Sequence, residues 1–182
     1  MAPTEAATIA YYTVVDDDRT GWTGGLLVLT GGGRPIEFQC TLPVRPSRAH
    51  EILFGPTLRD HLIGEVIGSL LVKKVRTPIS LLCCDQPEAL QIEAAVGFPV
   101  ALVVEAAENE EGPIGDETIA GSTSVPLVGS TLRVGMEQAD QVRTITSKLA
   151  DLPDAIEPFE RIREAIKEAQ SQIARAQSNR AA

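Results

Sequence analysis

Residues 35–85 read PIEFQCTLPVRPSRAHEILFGPTL (35–58), RDHLIGEVIGSLLVKKV (59–75) and RTPISLLCCD (76–85). The pattern is strand, proline-punctuated loop, helix and strand. Ile36 to Leu42 is rich in β-formers, and Pro43 and Pro46 end it because proline cannot donate to a ladder. Ser47 suits the N-cap of a short helix over Arg48 to Phe54, and Gly55-Pro56 stops that helix. Thr57 is the expected cap of the main helix, with Asp60 three residues on. Leu58, Leu62, Val66 and Leu70, with Ile63, Ile67 and Leu71, form a broad apolar stripe at helical spacing. Gly64 and Gly68 lie four apart, so another backbone can approach there. Pro78 to Cys84 is apolar on both faces, which predicts a central strand.

The flanks add strands, then helices. Ile9 to Val15, Gly25 to Thr30 and Ile36 to Leu42 read as an antiparallel meander, with Gly31-Gly32-Gly33 in a hairpin loop. Pro87 to Val96 reads as a short helix and Val100 to Glu105 as a strand. Residues 105–117 hold six acids and no base, the best linker candidate. Thr118 to Val134 predicts one or two strands, with a hairpin turn at Val128-Gly129-Ser130. From Met136 the pattern is helical: Val142, Ile145, Leu149 and Leu152 form one stripe, ended by Pro153. Phe159, Ile162, Ile166, Ala169, Ile173 and Ala176 form a second, with Pro158 tolerated in the first turn. The expected architecture is α+β: an antiparallel or mixed sheet, one main packed helix and a C-terminal helical pair. The expected division is an α+β domain over 1–135 and a helical segment over 136–182.

Apolar residues make up 43% of the chain and aromatics 4%, so the core must be built from aliphatics. The net charge is −9, yet residues 34–76 carry seven basic against four acidic residues. The negative field disfavours nucleic acid as the main partner, and few aromatics are present for stacking. The opening MAPTEAATIAYY has neither the basic nor the apolar region of a signal peptide. No apolar run approaches the roughly 18–20 residues of a membrane span. Three cysteines cannot all pair, so reduced thiols and a cytoplasmic setting are expected, without membrane association.

Candidate chemistry centres on Cys40, His50, His61, Cys83 and Cys84. Thiolate and imidazole suit zinc, but no C-x₂-C or H-x₃-H spacing is present, and Cys83 and Cys84 should face opposite sides of one strand. Buried structural thiols are the plainer reading. No cofactor is expected, and zinc is the alternative. His61 and Glu65 share a helical face, and the sequence HisGlu at 50–51 lacks the acid two residues on that zinc deaminases use. The glycines at 31–33 lead into a strand, unlike a phosphate loop. Asp16-Asp17-Asp18 lacks calcium-loop spacing and reads as a solvated turn. Arg45 and Arg48 flank a helix N-terminus, with Arg34 and Arg59 as further candidates for binding an anion or an acidic partner.

No motif identifies a reaction. The leading expectation is a non-catalytic protein-interaction or assembly module, oligomeric, with Phe159, Ile162, Ile166 and Ile173 as the partner-facing stripe. One alternative is a small metal-dependent or thiol enzyme using Cys40, His50, His61 and Cys83 or Cys84. Another is an anion- or nucleotide-responsive regulatory domain.

Overall fold

The computed structural model describes residues 6–105 and 121–180. The α+β expectation holds. Seven strands form one mixed sheet: β1 (Thr8–Asp17), β2 (Gly21–Thr30), β3 (Pro35–Cys40), β4 (Leu81–Cys84), β5 (Val100–Glu105), β6 (Ser122–Leu127) and β7 (Ser130–Gly135). Their order is β3-β2-β1-β4-β5-β7-β6. β1, β2 and β3 form the antiparallel meander. β4 lies parallel to β1, and β5 parallel to β4. β7 and β6 then complete the sheet antiparallel.

The chain therefore leaves β1 on one side for the meander, and returns on the other side for β4. The return is made by helices: α1 (Arg48–Phe54), then α2, a continuous run of Leu58–Asp60, His61–Gly68 and Ser69–Lys74. Ser47 caps α1 as expected, its Oγ accepting from the His50 amide at 3.2 Å. Thr57 does not cap α2. Its hydroxyl instead donates to the Phe54 carbonyl at 2.7 Å, because the chain is already helical there. The middle segment of α2, His61–Gly68, is wound with π-type turns. Pro78 opens the next extended stretch without joining the ladder, and the Thr8 hydroxyl donates to its carbonyl.

Alternation along the strands divides the core in two. Ile9, Tyr11, Leu27, Leu81, Cys83 and Ala101 face α3 (Ala139–Thr146) and α4 (Glu157–Arg180). Ala10, Tyr12, Leu26, Leu82 and Cys84 face α2 and the 3-10 segment Pro87–Ala95. The helices approach closely because β2 carries Gly24 and Gly25. A Cβ on Gly24 would collide with Ile67 of α2, and one on Gly25 with Ile162 of α4. The Gly64/Gly68 pair does admit another backbone: a Cβ on Gly64 would sit 2.8 Å from the Glu88 carbonyl.

Phe159, Ile162 and Ile166 of α4 are each no more than 1% exposed, and they close onto the sheet's own core. Phe159 packs edge-on against Tyr11, ring centroids 5.0 Å apart. Ile173, farther along the helix, is 38% exposed. The hairpin turn falls at Val128-Gly129, both at positive φ. Residues 106–117 of the expected acidic linker lie outside the described residues. No described helix is long and apolar enough to cross a membrane.

Candidate functional site at the carboxyl ends of β1 and β4

In an open sheet, ligands bind outside the carboxyl ends of parallel strands, where the chain departs in opposite directions from neighbouring strands. Here that place is the gap between β1 and β4. Tyr12 is the β1 partner of Cys84, so Thr13 and Asp85 come next on the two strands. Asp85 follows four fully buried residues, and its side chain is only 17% exposed. Arg163 of α4 donates to Asp85 Oδ2. The same guanidinium donates to Glu160 Oε1 at 2.5 Å. Asp85 Oδ1 is buried and has no hydrogen-bond partner. Burial raises the Asp85 carboxyl above the usual carboxylate range, opposed by the Thr13 hydroxyl and by Arg163.

Gln86 fixes the backbone beside this carboxylate. Its side chain accepts from the Val14 amide at 2.9 Å and donates to the Val14 carbonyl at 3.0 Å. The strand ends are thus held in register where the ladder stops. On the other face of the sheet, Arg59 donates to Glu88 at 2.8 Å and lies over the Trp22 ring, 5.3 Å from its centroid. Asp16 on that side is raised by burial and lowered by Arg59. The Asp16–Asp18 run is not all turn: Asp16 and Asp17 end β1, paired with Trp22 and Gly21, and the turn begins at Asp18, where Asp17 Oδ1 accepts from the Arg19 and Thr20 amides, which hold its carboxyl low.

The cysteine–histidine candidates are scattered. Cys83 and Cys84 are buried on opposite faces of β4, and Cys40 is exposed on edge strand β3. Burial pushes all three thiols up, the opposite of what activates a nucleophile. His50 pairs with Ser47 Oγ at 3.0 Å, and His61 with Glu65 at 2.7 Å. Phe54 stacks on His61 at 4.1 Å. Among the described residues, no three His, Cys, Asp or Glu side chains are placed to hold a metal ion together.

The arginine candidates also fail to converge. Arg45 donates to the carbonyls of Thr20 and Arg19. Arg48 pairs with Glu51 at 3.0 Å, and Arg59 with Glu88. Arg34 is engaged through its backbone in the β2–β3 turn. Sequence reasoning passed over Asp85, Arg163 and Glu160. The available signal was an acid directly after a wholly apolar strand.

No family model matches the chain, and no curated protein does. Solved structures with a related layout include endonuclease V of Ciona intestinalis with a D234N change, in complex with a 23mer DNA containing inosine. It is 10% identical over 92% of this chain and 88% of its own, with a TM-score of 0.48. Another complex of the Ciona enzyme, with a 24mer DNA, is 9% identical over 94% and 89%, with a TM-score of 0.49. Human endonuclease V is 13% identical over 92% and 87%, with a TM-score of 0.46. A likeness of this size carries no residue role and no chemistry to this chain.

These neighbours are endonucleases, two of them bound to DNA, whereas the sequence suggested a non-catalytic, oligomeric interaction module with nucleic acid set aside. That expectation is corrected, because its main physical ground has gone: Phe159, Ile162 and Ile166 are spent on the chain's own core.

Proposed function

We propose that the carboxyl ends of β1 and β4 form an active site in which Asp85 exchanges a proton with bound substrate. The observation that carries this reading is the state of the Asp85 carboxylate. It is largely buried, one oxygen is unpartnered, and it stands at the point of the sheet where ligands bind. A largely buried carboxylate whose pKa is raised above the ordinary carboxylate range is the kind of group that general acid–base catalysis uses. Arg163 pulls the Asp85 pKa back down, and Glu160 shares Arg163, so the two together set its charge. Gln86 holds together the strand ends on which the carboxylate stands. The described residues do not fit a metal centre, and the reading rests on Asp85 itself.

The neighbours are titled as endonucleases, two in complex with inosine-containing DNA. That is said of them; for this chain it selects the first ligand to try. The test measures binding by fluorescence anisotropy and turnover by gel, on single- and double-stranded DNA and RNA at low salt, with and without added magnesium. The expected result is turnover by the native chain. Asp85→Asn is then expected to bind as well or better, because a negative charge is gone, and to turn over at least about a hundredfold more slowly. A native chain that neither binds nor cleaves any of these polymers sinks the nucleic-acid assignment. Asp85→Asn turning over at the native rate sinks the role of Asp85.

A further inference from the structure

A cavity lies on the α2 side of the sheet, where the end of β3 meets the end of α2. Its volume is about 440 Å³, within the ~300–1,000 Å³ range of small-molecule pockets. Leu42, Val44, Leu70 and Leu71 supply aliphatic walls, and Cys40 and Lys74 stand among them. Leu42 is 74% exposed and Leu70 43% exposed, so the apolar walls face solvent. Lys74 makes no ion pair with any described residue. Glu37, the acid nearest in sequence on β3, already accepts from the amides of Arg76 and Thr77 and from the side chains of Thr77 and Gln39. A lysine with no ion pair among the described residues, lining a groove with exposed leucines, is complementary to an alkyl chain ending in an anion.

We propose that this groove binds a free, single-chain alkyl carboxylate of the fatty-acid class, its tail on Leu42 and Leu70 and its carboxylate on Lys74. The site is independent of Asp85. The tail removes the exposed leucine surface from water, and the carboxylate gives Lys74 the counter-ion that no described residue provides. Lys74 sets the preference for an anion, and the exposed Leu42 and Leu70 set the preference for an alkyl tail.

Cys40 provides the readout. It is the one exposed cysteine, Cys83 and Cys84 being buried, so alkylation of the native protein reports on the groove wall. The experiment follows iodoacetamide modification of Cys40 by mass spectrometry, with decanoate, decanol or decyltrimethylammonium held below micelle formation. Decanoate is expected to slow modification at least about fivefold, and the neutral and cationic amphiphiles to have little effect. Lys74→Met, an exposed substitution that leaves the core untouched, is expected to abolish the protection. An unchanged rate with decanoate overturns the proposal. So does equal protection by decanol, or protection that survives in Lys74→Met.

Discussion

The hydroxyl of Tyr12, buried in β1, donates to the carbonyl of Ile63 in α2 at 2.6 Å. The acceptor lies within the π-wound part of α2, so the sheet holds the helix at the place where its regular winding is interrupted. Tyr12 is fully buried, and desolvation keeps its phenol protonated and donating. Tyr12→Phe keeps the ring and removes only the donor. It is expected to cost about 1–2 kcal/mol, since a buried acceptor is left without its partner. Denaturant unfolding followed by circular dichroism measures this directly, and hydrogen exchange should rise first in residues 61–68.

Glycine spacing makes a second prediction. A Cβ at Gly68 would press into Ile92 and stand 2.9 Å from the Ile63 carbonyl, whereas one at Gly32 meets nothing within 4 Å. Gly68→Ala is expected to destabilise by about 1–3 kcal/mol through overpacking, even though alanine is the better helix former. Gly32→Ala should stay within about 0.5 kcal/mol. Comparing the two midpoints separates close packing from backbone propensity.

Acid should release the edge of the sheet. The Glu37 carboxylate accepts from Gln39, from the Thr77 hydroxyl and amide, and from the Arg76 amide, which lowers its pKa to about 2. A carboxyl depressed on folding contributes stability that is present above its unfolded value and lost as pH falls through the folded value. The loss therefore falls between about 4.5 and about 2. Glu37→Gln should flatten the stability profile in that window and leave it unchanged in shape above pH 6. β3 amides should exchange faster in the variant at every pH.

Much of this fold was legible because its strongest signals are local. Ser47 capping Arg48–Phe54, the wholly apolar run before Asp85, and the Gly64/Gly68 spacing each express a rule that acts within a few residues. Parallel pairing of β1 with β4 does not, because residues seventy positions apart decide it. The stripe on α4 shows the same limit: its periodicity established that Phe159, Ile162 and Ile166 share a face, but not what covers that face. Tyr11 and Leu27 cover it, from the far end of the chain. The site was hidden for the same reason. Asp85, Arg163 and Glu160 carry no spacing motif and meet only once α4 lies across β1 and β2 and Arg163 reaches the end of β4.

That meeting yields the last prediction. Asp85 is raised by burial before Arg163 pulls it back, so the folded protein holds its charge reluctantly. A carboxyl raised on folding contributes stability that is full below the ordinary carboxylate range and is lost as pH rises through the raised value. Asp85→Asn removes that loss, and is expected to be as stable as the native chain at pH 7 or more so. Arg163→Met acts in the opposite direction, because it leaves Asp85 charged, largely buried and without its cation. After allowance for the exposure of Arg163, a loss of about 1–2 kcal/mol is expected. Combining both changes should recover most of it, a coupling that a double-mutant cycle reads directly. If Asp85→Asn alone is strongly destabilising, Asp85 serves to pin α4 to the sheet. If it is neutral or stabilising, the chain keeps at the end of β4 a charge that its fold does not need.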